Sequence, residues 1–121
     1  MTMLKVYTLA NCDTCRKAVQ WLRAHGVAFA EKAIRTTPPT PGELAAMLAA
    51  YRGERRRLFN TAGADYRAQR LGEQLPGLSD AAALGLLAGN GNLVKRPFAI
   101  GAGVALVGFD EAAWTAALAA K

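Results

Sequence analysis

Cys12-Asp13-Thr14-Cys15 stands between an apolar run, Met3-Leu4-Lys5-Val6-Tyr7, and a helical pattern that starts at Arg16. These are the chain's only two cysteines. A cysteine at a helix N-terminus lies near unpaired backbone N–H groups and the positive end of the helix dipole, and both favour thiolate over thiol. Cys12 is therefore the candidate nucleophile. Cys15 falls one turn along the same helix face, within reach of a sulfur-linked adduct on Cys12, and is the candidate resolving thiol. A structural zinc site needs four ligands, and the rest of the chain offers only His25, so no metal is expected. Two inert buried thiols are the plain alternative. The placement of the pair at a strand-to-helix junction favours redox chemistry over it.

Outward from this motif, the first strand covers about Met3 to Thr8, and Ala18, Val19 and Leu22 give the following helix its apolar face. Gly26 suits a left-handed cap at its end, and His25 reads as a solvated residue of the last turn, not a catalytic base. Val27 to Ile34 supplies a second strand. A right-handed β-α-β crossover makes the two strands parallel. Pro38-Pro39 breaks the chain, and Thr40-Pro41-Gly42-Glu43 reads as a capping box with Pro at the first helical position. Leu44, Met47, Leu48 and Tyr51 then share a face. Leu58 to Leu75 carries mixed helical signals broken by Gly63 and Gly72. A further helix runs from Ser79, its cap, through Leu84, Leu86 and Leu87 until Gly89-Asn90-Gly91. Residues 40–90 are thus mostly helical. Phe98–Ile100 and Val104–Val107, joined by Gly101-Ala102-Gly103, read as a hairpin. Asp110 can cap a last helix, with Phe109 stapled against Trp114.

The 121 residues suit a single domain, 1–121, and 52% hydrophobic with 20% charged residues is a globular composition. Pro97 to Phe109, a long uncharged stretch, is too short and glycine-rich to span a bilayer, so no membrane role is expected. The opening residues lack a basic stretch followed by an apolar one, so no secretory signal is expected, and the expected location is the cytoplasm. The net charge of +6 favours an anionic substrate or partner. Four arginines crowd into Arg52-Gly53-Glu54-Arg55-Arg56-Arg57 without interleaved stacking aromatics, which reads as a solvated helix face; nucleic-acid binding is not expected.

The order β-α-β, helical insert, β-β-α resembles the arsenate reductase-like family, ArsC and Spx. The residues that carry the resemblance are Cys12-Asp13-Thr14-Cys15-Arg16-Lys17-Ala18, Phe59-Asn60-Thr61-Ala62-Gly63 followed by Tyr66-Arg67, Lys95-Arg96-Pro97, and Leu106-Val107-Gly108-Phe109. It implies an α/β fold, a thioredoxin-like mixed four-stranded sheet with an inserted helical segment at about 40–90. It also implies that Cys12 attacks an oxyanion or a disulfide, that Arg96 binds the anion, and that Arg96–Pro97 is a cis peptide beside the thiols. An arginine presents a planar, permanently charged fork to such an anion. The oxyanion set is then Thr14, Arg16 and Arg96, with Asn11, Asn60, Lys95 and Pro97 as supporting positions.

The glutaredoxin-coupled members carry a histidine where this chain has Thr8, and two further arginines whose places here are Asn60 and Gly108. They also lack a cysteine at the place of Cys15. A Cys12–Cys15 disulfide would move recycling from glutathione and glutaredoxin toward thioredoxin, with no bound cofactor. Arsenate is the implied substrate. The Spx branch does carry two cysteines, as a redox switch on a regulator that binds RNA polymerase, and is the alternative.

Overall fold

The structure is a computed structural model that describes residues 3–119, and side chains through 118. The chain divides into two compact units: Ile34–Lys95, and the two segments that flank it, up to Ala33 and from Arg96 onward.

In the flanking unit, the described residues form a four-stranded mixed sheet of order β2-β1-β3-β4, from β1 (Leu4–Thr8), β2 (Phe29–Ala33), β3 (Phe98–Gly101) and β4 (Val104–Val107). β1 and β2 are parallel, with Val6 opposite Glu31, whereas β3 is antiparallel to both β1 and β4. This is the thioredoxin-like arrangement that the resemblance implies. Side chains alternate along each strand. Leu4, Val6 and Ala99 therefore share one sheet face, where they pack with Ala18, Trp21 and Leu22 of helix α1 (Asp13–Ala24) and with Trp114. Trp114 belongs to the short helix of this unit's C-terminal segment, Glu111–Trp114, which runs on as a π-helical turn, Thr115–Ala119. The indole N–H of Trp114 donates to the Gly108 carbonyl at 3.0 Å, and its ring meets Phe109 edge-on at 5.2 Å, the expected staple. Asp110 accepts from the Ala112 N–H as the cap.

Two boundaries differ from expectation. Helix α1 begins at Asp13, not Arg16, because the Cys12 sulfur itself caps the helix by accepting the Cys15 N–H at 3.3 Å. β2 is shorter than Val27–Ile34 because the Val27 N–H is still spent on the helix end, donating to the Leu22 carbonyl at 3.0 Å past left-handed Gly26 (φ 67°). The β3–β4 turn has positive φ at both Ala102 (53°) and Gly103 (79°), the backbone of a two-residue hairpin loop.

The Ile34–Lys95 unit holds the helices Pro41–Ala50, Ala64–Ala68, Leu71–Gln74 and Asp80–Gly89. Thr40 and Glu43 form the expected capping box, and Leu44, Met47 and Leu48 are buried. The break between the two short central helices falls at Arg70, whose φ is +53°; Gly72 lies inside the second of them beside the Tyr66 ring. The arginine cluster is not a helix face. Arg55 to Leu58 form a 3-10 turn in which Arg55 donates to the Leu75 and Leu78 carbonyls and faces Asp80 at 3.6 Å, while Arg57 lies over the Tyr51 ring. Gly91 packs so tightly that a Cβ there would sit 2.0 Å from the Ile34 carbonyl oxygen.

Candidate active site

β1 ends at Thr8, and the chain turns into α1 through Asn11, which is exposed and left-handed at φ 64°. That turn sets Cys12 at the N-cap and Cys15 at the third helical position. Cys12 is half-buried, Cys15 is 3% exposed, and both thiols are free. The Cys12 sulfur accepts the Cys15 backbone N–H and also the Cys15 side-chain hydrogen bond. Burial, first, and then the thiol hydrogen bond to Cys12 push the Cys15 thiol up to about 12, while a backbone hydrogen bond from Leu9 and the positive charge of Arg96 pull the other way. One sulfur is open to a substrate and accepts hydrogen bonds. The other is covered and keeps its proton.

Both cysteines contribute to the lining of a cleft of about 580 Å³, Cys12 as the open one of the pair. Asn11, Arg16, Gln20 and Arg23 line it from the turn and the helix, and Thr8, Glu31 and Ala33 from the two parallel strands. Arg16 is exposed and bonded to Asp13 at 2.8 Å, so part of its charge is already answered. Arg96 is half-buried two residues before β3, and its charge reaches Cys15. The Arg96–Pro97 bond is cis, and the Pro97 carbonyl accepts the Gly108 N–H at 2.9 Å. Gly108 thus serves the scaffold through its backbone. Thr14 is exposed at the second helical position, outside the cleft lining. Asn60 and Lys95 belong to the Ile34–Lys95 unit, where their N–H groups donate to Leu93 and Leu58 on either side of the Phe59–Val94 bridge. His25 donates its Nδ1–H to the Trp21 carbonyl at 2.8 Å and stacks on the Trp21 ring, a scaffold role.

Residues 7–117 match the ArsC family model. The chain belongs to the ArsC family. It is 39% identical over 108 residues to the uncharacterised protein YusI of Bacillus subtilis, covering 89% of this chain and 92% of that one. The global transcriptional regulator Spx of Enterococcus faecalis is 33% identical over 109 residues, covering 90% of this chain and 81% of the regulator. The crystal structure of a possible arsenate reductase from Streptococcus mutans superposes with a TM-score of 0.83 at 33% identity, over 90% of this chain and 92% of that one. The family's thiol oxidoreductase fold therefore carries the paired cysteines. No helix among the described residues is long and apolar enough to cross a membrane.

Four polar residues that line this ArsC-family cleft, Thr8, Gln20, Arg23 and Glu31, were not among the expected site residues, and two of them are bonded to each other. The Thr8 hydroxyl, buried at 6% exposure, donates to the exposed Glu31 carboxylate at 2.6 Å. The signal available was register: parallel strands that pair Val6 with Glu31 put Glu31 and Thr8 on one face.

Proposed function

We propose that this chain is a cytoplasmic thiol oxidoreductase of arsenate reductase type, reducing arsenate to arsenite through Cys12 and Cys15. The observation that carries it is the division between the two thiols: Cys12 open on the cleft and accepting hydrogen bonds, Cys15 covered and protonated beside it. The oxyanion docks at the α1 N-terminus, whose unpaired N–H groups around Thr14 suit an anion, with Arg96 and Arg16 adding positive charge. The Cys12 thiolate attacks arsenic, an S–As bond forms as an As–O bond breaks, and the arsenate hydroxyl leaves as water with a proton taken from solvent. Cys15 then attacks the Cys12 sulfur; the S–As electron pair passes to arsenic, arsenite departs, and a Cys12–Cys15 disulfide remains. An external thiol system, thioredoxin or glutathione with glutaredoxin, returns it to the dithiol.

Arsenate-dependent NADPH oxidation, measured separately with the thioredoxin and the glutaredoxin systems, tests this reading. Turnover with thioredoxin that disappears in Cys12→Ser is the expected result. No arsenate-dependent turnover with either system would remove arsenate as substrate. The second reading, a redox switch on a transcriptional regulator, draws on the two-cysteine motif and the likeness to Spx. Capture of the RNA polymerase alpha subunit that responds to the redox state of the pair would favour it.

A further inference from the structure

Resolution needs a proton acceptor. In the reduced chain Cys15 hands its hydrogen bond to the Cys12 sulfur, but that sulfur is consumed once Cys12 is bonded to a substrate. Cys15 must then lose its proton as it attacks. Among the residues that line the cleft, the titratable ones are Cys12 at the α1 cap, Arg16 and Arg23 from α1, Cys15 itself, and Glu31 from β2; Arg96 adds its charge from just before β3. Lys32 alternates to the other sheet face. Asp13, the acid nearest in sequence, is 78% exposed, engaged by Arg16 and absent from the cleft lining. Glu31 is thus the cleft's carboxylate. The Thr8 hydroxyl, which donates to Glu31 at 2.6 Å and lines the same cleft, keeps its lone pairs to accept.

We propose that the Thr8–Glu31 pair is the proton exit for Cys15, with Thr8 positioning the Glu31 carboxylate that takes the proton during resolution. It rests on the reading of Cys15 as the resolving thiol. Atoms balance as follows: Cys15 S–H, the mixed disulfide on Cys12 and the Glu31 carboxylate give the Cys12–Cys15 disulfide, the departing thiolate and the protonated Glu31. The electron pair of the broken S–S bond leaves with the departing thiolate, which can take the proton back. The sign of the effect separates this role from simple electrostatics. A negative charge near Cys15 disfavours its thiolate, so deleting a carboxylate that acted only by charge would speed the attack. Deleting a proton acceptor slows it.

The experiment is stopped-flow reaction of the full chain with a symmetrical aromatic disulfide that releases a coloured thiolate. The first release reports attack by Cys12, the second resolution by Cys15. In Glu31→Gln the first phase should stay within about twofold of wild type. The second should slow by about 10²-fold near neutral pH, on the scale of general acid–base catalysis. Its logarithm should then rise with a slope near one per pH unit, as solvent hydroxide takes over, and more steeply than in wild type. Thr8→Val should lose part of the second phase, Glu31→Asp should regain part, and Lys32→Gln should leave both phases alone. A second phase unchanged or faster in Glu31→Gln, or two phases slowed equally, would overturn the inference while leaving the nucleophile in place. A wild-type chain with no first phase would instead overturn the role of Cys12, and this inference with it.

Discussion

Iodoacetamide at near-neutral pH should modify Cys12 and spare Cys15. Cys15 is 3% exposed, and burial with the hydrogen bond to Cys12 pushes its thiol up to about 12. At about pH 7.5 that leaves a thiolate fraction of roughly 3 × 10⁻⁵, against roughly 0.1 for an ordinary cysteine near 8.5, a deficit of about 3 × 10³. A more basic thiolate is also the better nucleophile. With a Brønsted coefficient of about 0.45, the difference of roughly 3.5 pH units returns about 40-fold, so Cys15 should react about 10²-fold more slowly than a peptide cysteine, before any hindrance from its cover. The pH dependence follows in sign. Because the thiol stays protonated until about 12, its alkylation rate should keep climbing through the region where an ordinary cysteine levels off, at about tenfold per pH unit. Quenched time points, digestion and tandem mass spectrometry of the fragment carrying both cysteines give the two rates. Alkylation of Cys15 within about threefold of a peptide cysteine, or a plateau near pH 8.5, would refute the account of its burial.

Cys15→Ser should react once with substrate and then accumulate an adduct or mixed disulfide on Cys12, read by intact-protein mass spectrometry; turnover at the wild-type rate with thioredoxin would contradict the resolving role. Arg96→Ala should lower kcat/KM for arsenate by about 10²-fold, the scale of one preorganised donor, and Arg96→Lys should restore only part because it keeps the charge without the planar fork. Full activity in Arg96→Ala would return that residue to the scaffold. Gly91→Ala should lower stability by about 1–3 kcal/mol, as overpacking does, because its Cβ would meet the Ile34 carbonyl at 2.0 Å. Denaturant melts measure it.

What was legible in the chain was what local chemistry decides. The Thr40–Glu43 capping box, the Ser79 and Asp110 caps, the Gly26 helix end and the Phe109–Trp114 staple each depend on residues a few positions apart, and each forms as read. The α1 boundary was missed because sulfur is not counted among the usual capping atoms. The apolar periodicity becomes visible only from Arg16 on, and the Cys12 sulfur that accepts the Cys15 N–H carries the helix back to Asp13. Arg55 was missed for a different reason. Its partners are the carbonyls of Leu75 and Leu78, backbone groups left over where short helices end, and no side-chain pattern announces those.

The candidate site divides along the same line. Cys12 and Cys15 are neighbours in sequence, so their pairing was readable, and Arg96 with Pro97 entered through the family resemblance. Glu31 has neither advantage. It reads as one charged residue on a short strand, and an exposed carboxylate on an edge strand ordinarily marks nothing beyond solvation. Its meaning comes from pairing: β2 lies parallel to β1 with Glu31 against Val6, which turns the carboxylate to the helix side of the sheet, where a buried Thr8 hydroxyl holds it. Shifted by one residue, the same strand would present Lys32 to the thiols instead and invert the charge there. The parallel register therefore decides whether the cleft offers Cys15 an acid or a base.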